Sequence, residues 1–560
     1  MLSIPKERAQ MKGADVVAEI LKREGTEFLA CYPRNPLIDA CAELDIRPIL
    51  CRQERMGVGM ADGFSRMRAG KQNGVFAAQH GPGIENAFAG VAQAYSENVP
   101  VLVIPAGFPA ERQHITPTFR AAEVYAPVTK YSAMASSVQE LPQVMRRAYQ
   151  AMRSGKPGPV LVEVPNPVFE ATFEGTLDYK PVPVMRSAPD PEAVKEAARL
   201  LLAARQPVIW AGQGVHYAEA GERLAALAEL IPAPVAATNP GKSAIAESHP
   251  LALGASTRSS PKMYYEFLER ADLVLAIGSS LTRTSFGPAM PKGKKIIHST
   301  NDPSDINKDH RAELGLVGDA ALVIDALIEE IGRQKQGGRG ATDALSALKE
   351  EIAGIKKAWL QEWAKFLDSD EVPINQYRVI RDLLRTVDRD NVIITHDSGS
   401  PREQLLPFWE TTVPHSYMGW GKSTQLGYGL GLAMGAKLAA PEKLCINVMG
   451  DSSFGMSGMD IETASRNDIG ILTVVFNNGV MACERHVLET STRKYGALTV
   501  GGNYTKVAEG LNVPAMRVEK PADIVPAIKQ AIKTTESGKP FLLEIVAKEG
   551  YDFSRYGSRD

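Results

Sequence analysis

Residues Gly450–Asn478 read GDSSFGMSGMDIETASRNDIGILTVVFNN. An apolar run, Leu444–Met449, leads into Gly450-Asp451, and a second, Ile471–Phe476, ends on Asn477-Asn478. Both runs have the length and uniform apolar character of strands buried on both faces of a parallel sheet. The intervening segment has helical character, so the stretch predicts a βαβ unit. Such a unit brings Asp451 and Asn478 to one carboxyl edge, where open α/β sheets bind ligands.

A carboxylate and an amide oxygen are hard ligands suited to Mg²⁺, which completes an octahedral shell with water and phosphate oxygen. Gly450 lets the backbone approach an anion closely, and the next amides, at Ser452 and Ser453, open a helix and can donate to phosphates. Gly-Asp or Asn-Asn alone would be chance. The strand before each, and the 27 residues separating Asp451 from Asn478, make chance a poor account. The stretch resembles the thiamine-diphosphate signature. The resemblance implies that Asp451, Asn478 and the Val480 carbonyl hold Mg²⁺ against the cofactor diphosphate, with Ser452 standing where Gly or Ala is frequent.

At 560 residues the chain exceeds one ordinary core. Its composition, 44% hydrophobic and 23% charged with 48 glycines, is that of an α/β protein. A net charge of −2 gives no sign of a nucleic-acid or anionic-membrane partner. No apolar run reaches the ~20 residues that span a bilayer, and MLSIPKERAQMKGAD lacks a signal-peptide core. The expectation is therefore a cytoplasmic protein. Cys31, Cys41, Cys51, Cys445 and Cys483 form no CxxC pair or zinc spacing, which fits reduced thiols.

Alternating helical and strand-like segments predict an α/β fold of three consecutive doubly wound parallel-sheet domains, spanning 1–170, 190–332 and 371–550. In the first, a helix near Gly13–Glu24 precedes strands at Phe28–Tyr32, Gly74–Ala78, Val101–Pro105 and Val160–Pro165. Asn166–Pro189, rich in proline, reads as a linker, and GRQKQGGRGATDA at 332–344 as a second. Gly212-Gln-Gly214 is a fragment of a dinucleotide fingerprint and reads more simply as a tight strand-to-helix turn. The sequence leaves FAD, ADP or no ligand open for the central domain. YDFSRYGSRD reads as a short tail.

Glu54 precedes the small-residue helix GVGMADGFSR, and His80-Gly-Pro-Gly83 follows the Gly74–Ala78 strand, with Asn86 behind. A lone glutamate at a helix start is ordinarily a solvated residue favoured by the dipole. The wider stretch resembles the pyrimidine-binding domain of the acetolactate synthase group. Glu54 then matches the glutamate that bonds N1′ of the aminopyrimidine and promotes formation of the C2 ylid. The same resemblance makes the last domain the diphosphate-binding one. It brings Pro33, Gly81 and Asn86 to the cofactor from the first domain, and Gly399, Ser400, Thr424 and Leu426 from the last. Leu426 would be the apolar wedge beneath the bent cofactor. The Thr424 carbonyl would accept from the amino group, at a position where glycine is usual. Because the family draws one site from two subunits, the resemblance implies at least a homodimer and commonly a homotetramer.

The cofactor sets a reaction class: attack on a carbonyl, loss of CO₂ or C–C cleavage, then protonation or acyloin formation. The sequence predicts a 2-oxo acid decarboxylase or carboligase resembling acetolactate synthase. A lyase acting on an acyloin or on a 2-hydroxyacyl- or oxalyl-CoA, and a non-catalytic nucleotide-binding paralogue, are the alternatives. His114 and Glu484 are candidate proton-handling residues; the alternatives are a solvated loop histidine and a surface glutamate. Arg34-Asn35 replaces the usual Gly-Gly, so Arg34 either grips a substrate carboxylate or faces solvent. A reactive role for Cys483 is the lesser alternative for that thiol.

Overall fold

The structure, a computed structural model, describes residues 11–335, 341–550 and 552–556. The chain divides into two units, Met1–Met185 and Arg186–Asp560. The first unit holds one six-stranded sheet, with Arg47–Leu50, Phe28–Cys31, Gly74–Ala78, Val101–Gly107, Val160–Pro165 and Tyr131–Met134 side by side. All its pairings are parallel. Val75, Ala77, Leu102, Ile104, Val160 and Val162 are buried, as strands covered on both faces require. Counted along the chain, the spatial order is 2-1-3-4-6-5. It reverses between Phe28–Cys31 and Gly74–Ala78, and ligands bind beyond the carboxyl ends at such a switch point. Pro33 and Gly81 lie just past those two ends.

Glycine and alanine bring the helix Glu54–Met67 unusually close to this sheet. A Cβ on Gly74 would sit 2.2 Å from the Ala61 carbonyl oxygen, and one on Gly57 would sit 2.6 Å from the Phe76 ring. Side chains at either position would lift the helix, and Glu54 at its start, away from the sheet.

The second unit holds two six-stranded parallel sheets. In the first of them the order is Ala252–Ser256, Val235–Thr238, Pro207–Ala211, Leu273–Ile277, Lys295–Thr300, Leu314–Val317, or 3-2-1-4-5-6. Gly212 and Gly278 end the two strands at its switch point. Gly214 N donates to Gly278 O at 2.8 Å, and a Cβ on Gly212 would sit 2.4 Å from that oxygen. The Gly-Gln-Gly turn is thus occupied by backbone packing. The other sheet runs Tyr417–Met418, Val392–His396, Leu444–Gly450, Ile471–Asn477, Phe541–Val546, Ala515–Val518. Its order, 2-1-3-4-6-5, repeats that of the first unit, a kinship the two sequences do not display.

Three segments depart from the sequence reading. Asn166–Pro189 is not a bare linker: it carries the helix Asn166–Glu170 and the strand Thr172–Phe173, which pairs with Met11–Lys12. Beyond these, Tyr179 Oη donates to Glu24 Oε1 at 2.6 Å and Arg153 Nη1 donates to the Val182 carbonyl at 2.8 Å. Val168, Phe169, Phe173, Leu177, Tyr179 and Val182 are all buried, and that burial fixes a proline-rich strap.

The supposed second linker is mostly helix. Ala320–Gln334 runs into its start, and a 27-residue helix, Ala341–Leu367, takes up its end. Only its centre, 336–340, lies outside the described residues. Trp359 of that helix stacks on Phe408 with ring centroids 4.7 Å apart.

The tail is packed over residues 552–556, where Trp359 Nε1 donates to Ser554 Oγ at 3.1 Å and Ser554 Oγ donates to Ser260 O at 2.7 Å. Tyr551 and 557–560, like the leader-free reading of residues 1–10, fall outside the described residues. Among the described residues no helix is long and apolar enough to cross a membrane.

Candidate functional site

The last sheet reverses between Val392–His396 and Leu444–Gly450; His396, at the end of the first, pairs with Val448, two residues before the end of the second. Asp451 opens the helix Asp451–Ser457 directly beyond. The strand Ile471–Asn477 lies alongside, with Gly450 paired to Phe476. Asp451 and Asn478 therefore meet: Asp451 Oδ2 accepts from Asn478 N at 3.0 Å and from Gly479 N at 2.7 Å. Asp451 Oδ1 accepts from Ser452 N at 2.7 Å, and Asn478 Oδ1 accepts from Val480 N at 3.1 Å.

Burial raises the Asp451 carboxyl above the usual range despite these N–H donors. Among the described residues no lysine or arginine pairs with it. A desolvated carboxylate is a hard oxygen donor, and with the amide oxygen of Asn478 and the carbonyl of Val480 on the segment it closes onto, the donor types fit Mg²⁺. Among the described residues no group of three or more His, Cys, Asp or Glu is placed to hold a metal ion, so the candidate donor set has a single carboxylate. Room for the anion lies alongside. A Cβ on Gly399 would meet nothing within 4 Å, and one on Gly450 only Pro401 at 3.9 Å. Ser452 is part-buried and Ser453 buried.

Sequence reasoning missed Asp397. It follows Val392–His396 as Asp451 follows Leu444–Gly450, an acidic residue just past a buried strand, and that was the available signal. Its side chain is fully buried and accepts from Ser398 N at 2.8 Å, Gly427 N at 2.9 Å and Gly429 N at 3.0 Å. It thereby anchors the loop bearing Thr424 and Leu426 beside Gly399 and Ser400.

Thr424 has φ +55°, the left-handed region. That is the physical reason a glycine suits its position. Leu426 is part-buried. Ser400 Oγ lies 3.3 Å from Cys483 Sγ; Cys483 is exposed, and desolvation of its sulfur raises the thiol pKa above its ordinary value. All five cysteines are free.

In the first unit, Glu54 is 5% exposed at the start of its helix. Asn86 Nδ2, from the helix Pro82–Ser96, donates to Glu54 Oε2. A Cβ on Gly83 would sit 3.6 Å from Oε1, so the absence of a side chain keeps that oxygen uncovered. Gly81, at φ +64°, turns the chain into the helix. Pro33 is exposed beyond its strand.

The other candidates lie further out. His114 and Glu484 are both exposed, His114 in a turn of the first unit and Glu484 at the end of the short 3-10 helix Ala482–Glu484 of the second. Arg34 is exposed, while Asn35 is structural: its Nδ2 donates to Ala78 O and Ile104 O, both at 2.9 Å.

Three family descriptions match parts of the chain in order. "Thiamine pyrophosphate enzyme, N-terminal TPP binding domain" matches residues 11–135, the central domain of the same enzymes matches 194–327, and their C-terminal TPP binding domain matches 397–545. A probable acetolactate synthase large subunit of Methanocaldococcus jannaschii is 30% identical over 96% of this chain and 92% of its own length. Glyoxylate carboligase of Escherichia coli O157:H7 is 29% identical over 93% and 91%. Acetolactate synthase isozyme 1 large subunit of Escherichia coli K12 is 27% identical over 94% and 92%.

Proposed function

The chain belongs to the thiamine-diphosphate-dependent, acetolactate-synthase-like carboligases and decarboxylases, and on that footing we propose how its own residues serve the reaction. When bound, thiamine diphosphate supplies the nucleophilic carbon and the electron sink. We assign 1–170 to the pyrimidine side, 190–332 to a central domain and 371–550 to the diphosphate side.

Asp451, Asn478 and the Val480 carbonyl would hold Mg²⁺ against the diphosphate, with Gly399, Ser400, Gly450, Ser452 and Ser453 lining its bed. Glu54 would keep a proton at the pyrimidine N1′ through the oxygen beside Gly83, while Asn86 holds the other oxygen. The Thr424 carbonyl would accept from the amino group and Leu426 would support the bend. The observation that carries this reading is the closure of Asp451 onto Asn478 N at 3.0 Å across 27 residues of chain.

The substrates are 2-oxo acids. Glu54 and Asp451 lie in different units of the chain, and Met456 and Met459, next to Asp451, are 51% and 50% exposed. Both features support a homodimer at least; a homotetramer in the cytoplasm is the further expectation carried by the family resemblance. The test is CO₂ release and product formation from pyruvate, 2-oxobutyrate and glyoxylate, with and without Mg²⁺ and thiamine diphosphate. Turnover that needs both is expected. Turnover indifferent to chelator and cofactor, or none with any oxo acid, would overturn the reading.

A further inference from the structure

At the switch point of the first sheet, beyond the residues already assigned, His80 and Arg112 share one ring. The imidazole of His80 lies on Phe108 with centroids 4.1 Å apart and planes 33° apart. The Arg112 guanidinium sits over the same phenyl, 5.6 Å from its centroid. A Cβ on Gly81 would meet Phe108 Cζ at 3.8 Å, so this ring closes against the turn that continues through Gly83 to Glu54.

The arrangement is built from the backbone up. Gln113 Nε2 donates to Phe108 O at 3.3 Å, and Ile115 N and Thr118 Oγ1 both donate to Arg112 O at 3.1 Å. Arg112 itself is exposed, and no carboxylate among the described residues pairs with it. His80 Nδ1 is buried without a partner while the ring as a whole is part-exposed.

We propose that Arg112 and His80, ranged on Phe108, seat the second, acceptor 2-oxo acid, Arg112 taking the carboxylate that the product retains and His80 a hydrogen bond to the acceptor's carbonyl oxygen. The inference rests on Glu54 marking the cofactor's pyrimidine side. A guanidinium matches a carboxylate bidentately. The physical argument for the acceptor over the donor is differential binding. A donor carboxylate departs as neutral CO₂, so a cation gripping it stabilises the ground state more than the transition state. An acceptor keeps its carboxylate throughout, and the grip then serves positioning alone. Desolvation and the Arg112 charge keep His80 neutral, so the ring can donate one hydrogen bond without adding charge.

The test uses the holoenzyme with pyruvate and with glyoxylate, measuring CO₂ release together with the ratio of carboxylate-bearing ligation product to free aldehyde. Arg112→Gln is expected to raise the oxo acid KM for ligation at least tenfold and to shift product toward the aldehyde. His80→Gln, which keeps a donor, should retain more ligation than His80→Phe. Arg34→Gln is the competing variant on the same sheet edge. An unchanged product ratio in Arg112→Gln would overturn the proposal. So would a shift produced by Arg34→Gln instead, or a parent enzyme that forms no carboxylate-bearing product. The reading of Glu54 fails or stands separately, by hydrogen exchange at cofactor C2 without any acceptor present.

Discussion

Asn86 Nδ2 donates to Glu54 Oε2, tying the N-terminal ends of two neighbouring helices and leaving Oε1 beside the bare backbone of Gly83. The bond fixes which carboxylate oxygen faces the turn at His80–Gly83. A hydrogen bond to a charged group contributes about 1.5–3 kcal/mol. Asn86→Ala should therefore lower kcat by about 10- to 100-fold if the bond is fully expressed in the rate-limiting step. Because Asn86 is exposed, thermal stability should move little. Parent-like kcat at saturating cofactor would remove Asn86 from the account.

Thr424 occupies a left-handed backbone position at φ +55°. For a β-branched residue that conformation costs on the order of 1–3 kcal/mol. Glycine relieves it but adds freedom to the unfolded chain. The net expectation for Thr424→Gly is a gain of about 0.5–1 kcal/mol, read as a higher melting temperature. A fall in melting temperature would show that the threonine side chain makes a compensating contact.

Glu24 gathers the strap that follows the first sheet. Its carboxylate meets Arg153 Nη1 at 2.7 Å and accepts from Tyr179 Oη at 2.6 Å and from Val182 N at 3.0 Å. Arg153 and Glu24 side chains are 5% and 1% exposed, so removing one charge strands the other. Glu24→Gln should cost about 3 kcal/mol or more and expose residues 166–189 to proteolysis. Unchanged denaturant midpoint and protease resistance would contradict the assignment of this strap to the first unit's core.

His298, 1% exposed, has its Nε2 2.7 Å from the Ser279 carbonyl oxygen, and burial lowers its pKa below the ordinary 6.5. The unfolded chain then takes up a proton before the folded one as pH falls. This residue's contribution is complete above pH ~6.5 and is lost as pH falls through the folded pKa. His298→Asn should flatten the acid side of the stability profile by at most about 1.4 kcal/mol per pH unit. Urea denaturation across pH 7.5 to 5 measures it, and a profile unchanged in slope would exclude His298 as a contributor.

How much of this was legible in the sequence follows from where side chains go. Leu444–Met449 and Ile471–Phe476 are buried on both faces, so their composition announced strands, and the acidic and amide residues at their ends announced the site. Ala341–Leu367 carried a helical signal, with Leu345, Leu348, Ile352, Ile355, Trp359 and Trp363 spaced three or four apart. The glycines just before it obscured that start. The strap was harder to read, because its buried residues sit among prolines without a regular period. Asp397 had a signal of its own, an acid just past a buried strand, but its anchoring role was not legible. Its partners are the backbone N–H groups of Gly427 and Gly429, about thirty residues away, and backbone donors leave no trace in side-chain identity.

The account turns on Glu54 acting on the cofactor ring. Its most direct measurement is the rate of hydrogen–deuterium exchange at C2 of enzyme-bound thiamine diphosphate, without substrate, in the parent and in Glu54→Gln. The account predicts a fall of about 10²- to 10⁴-fold in the variant with cofactor still bound. Exchange at the parent rate in Glu54→Gln would contradict it.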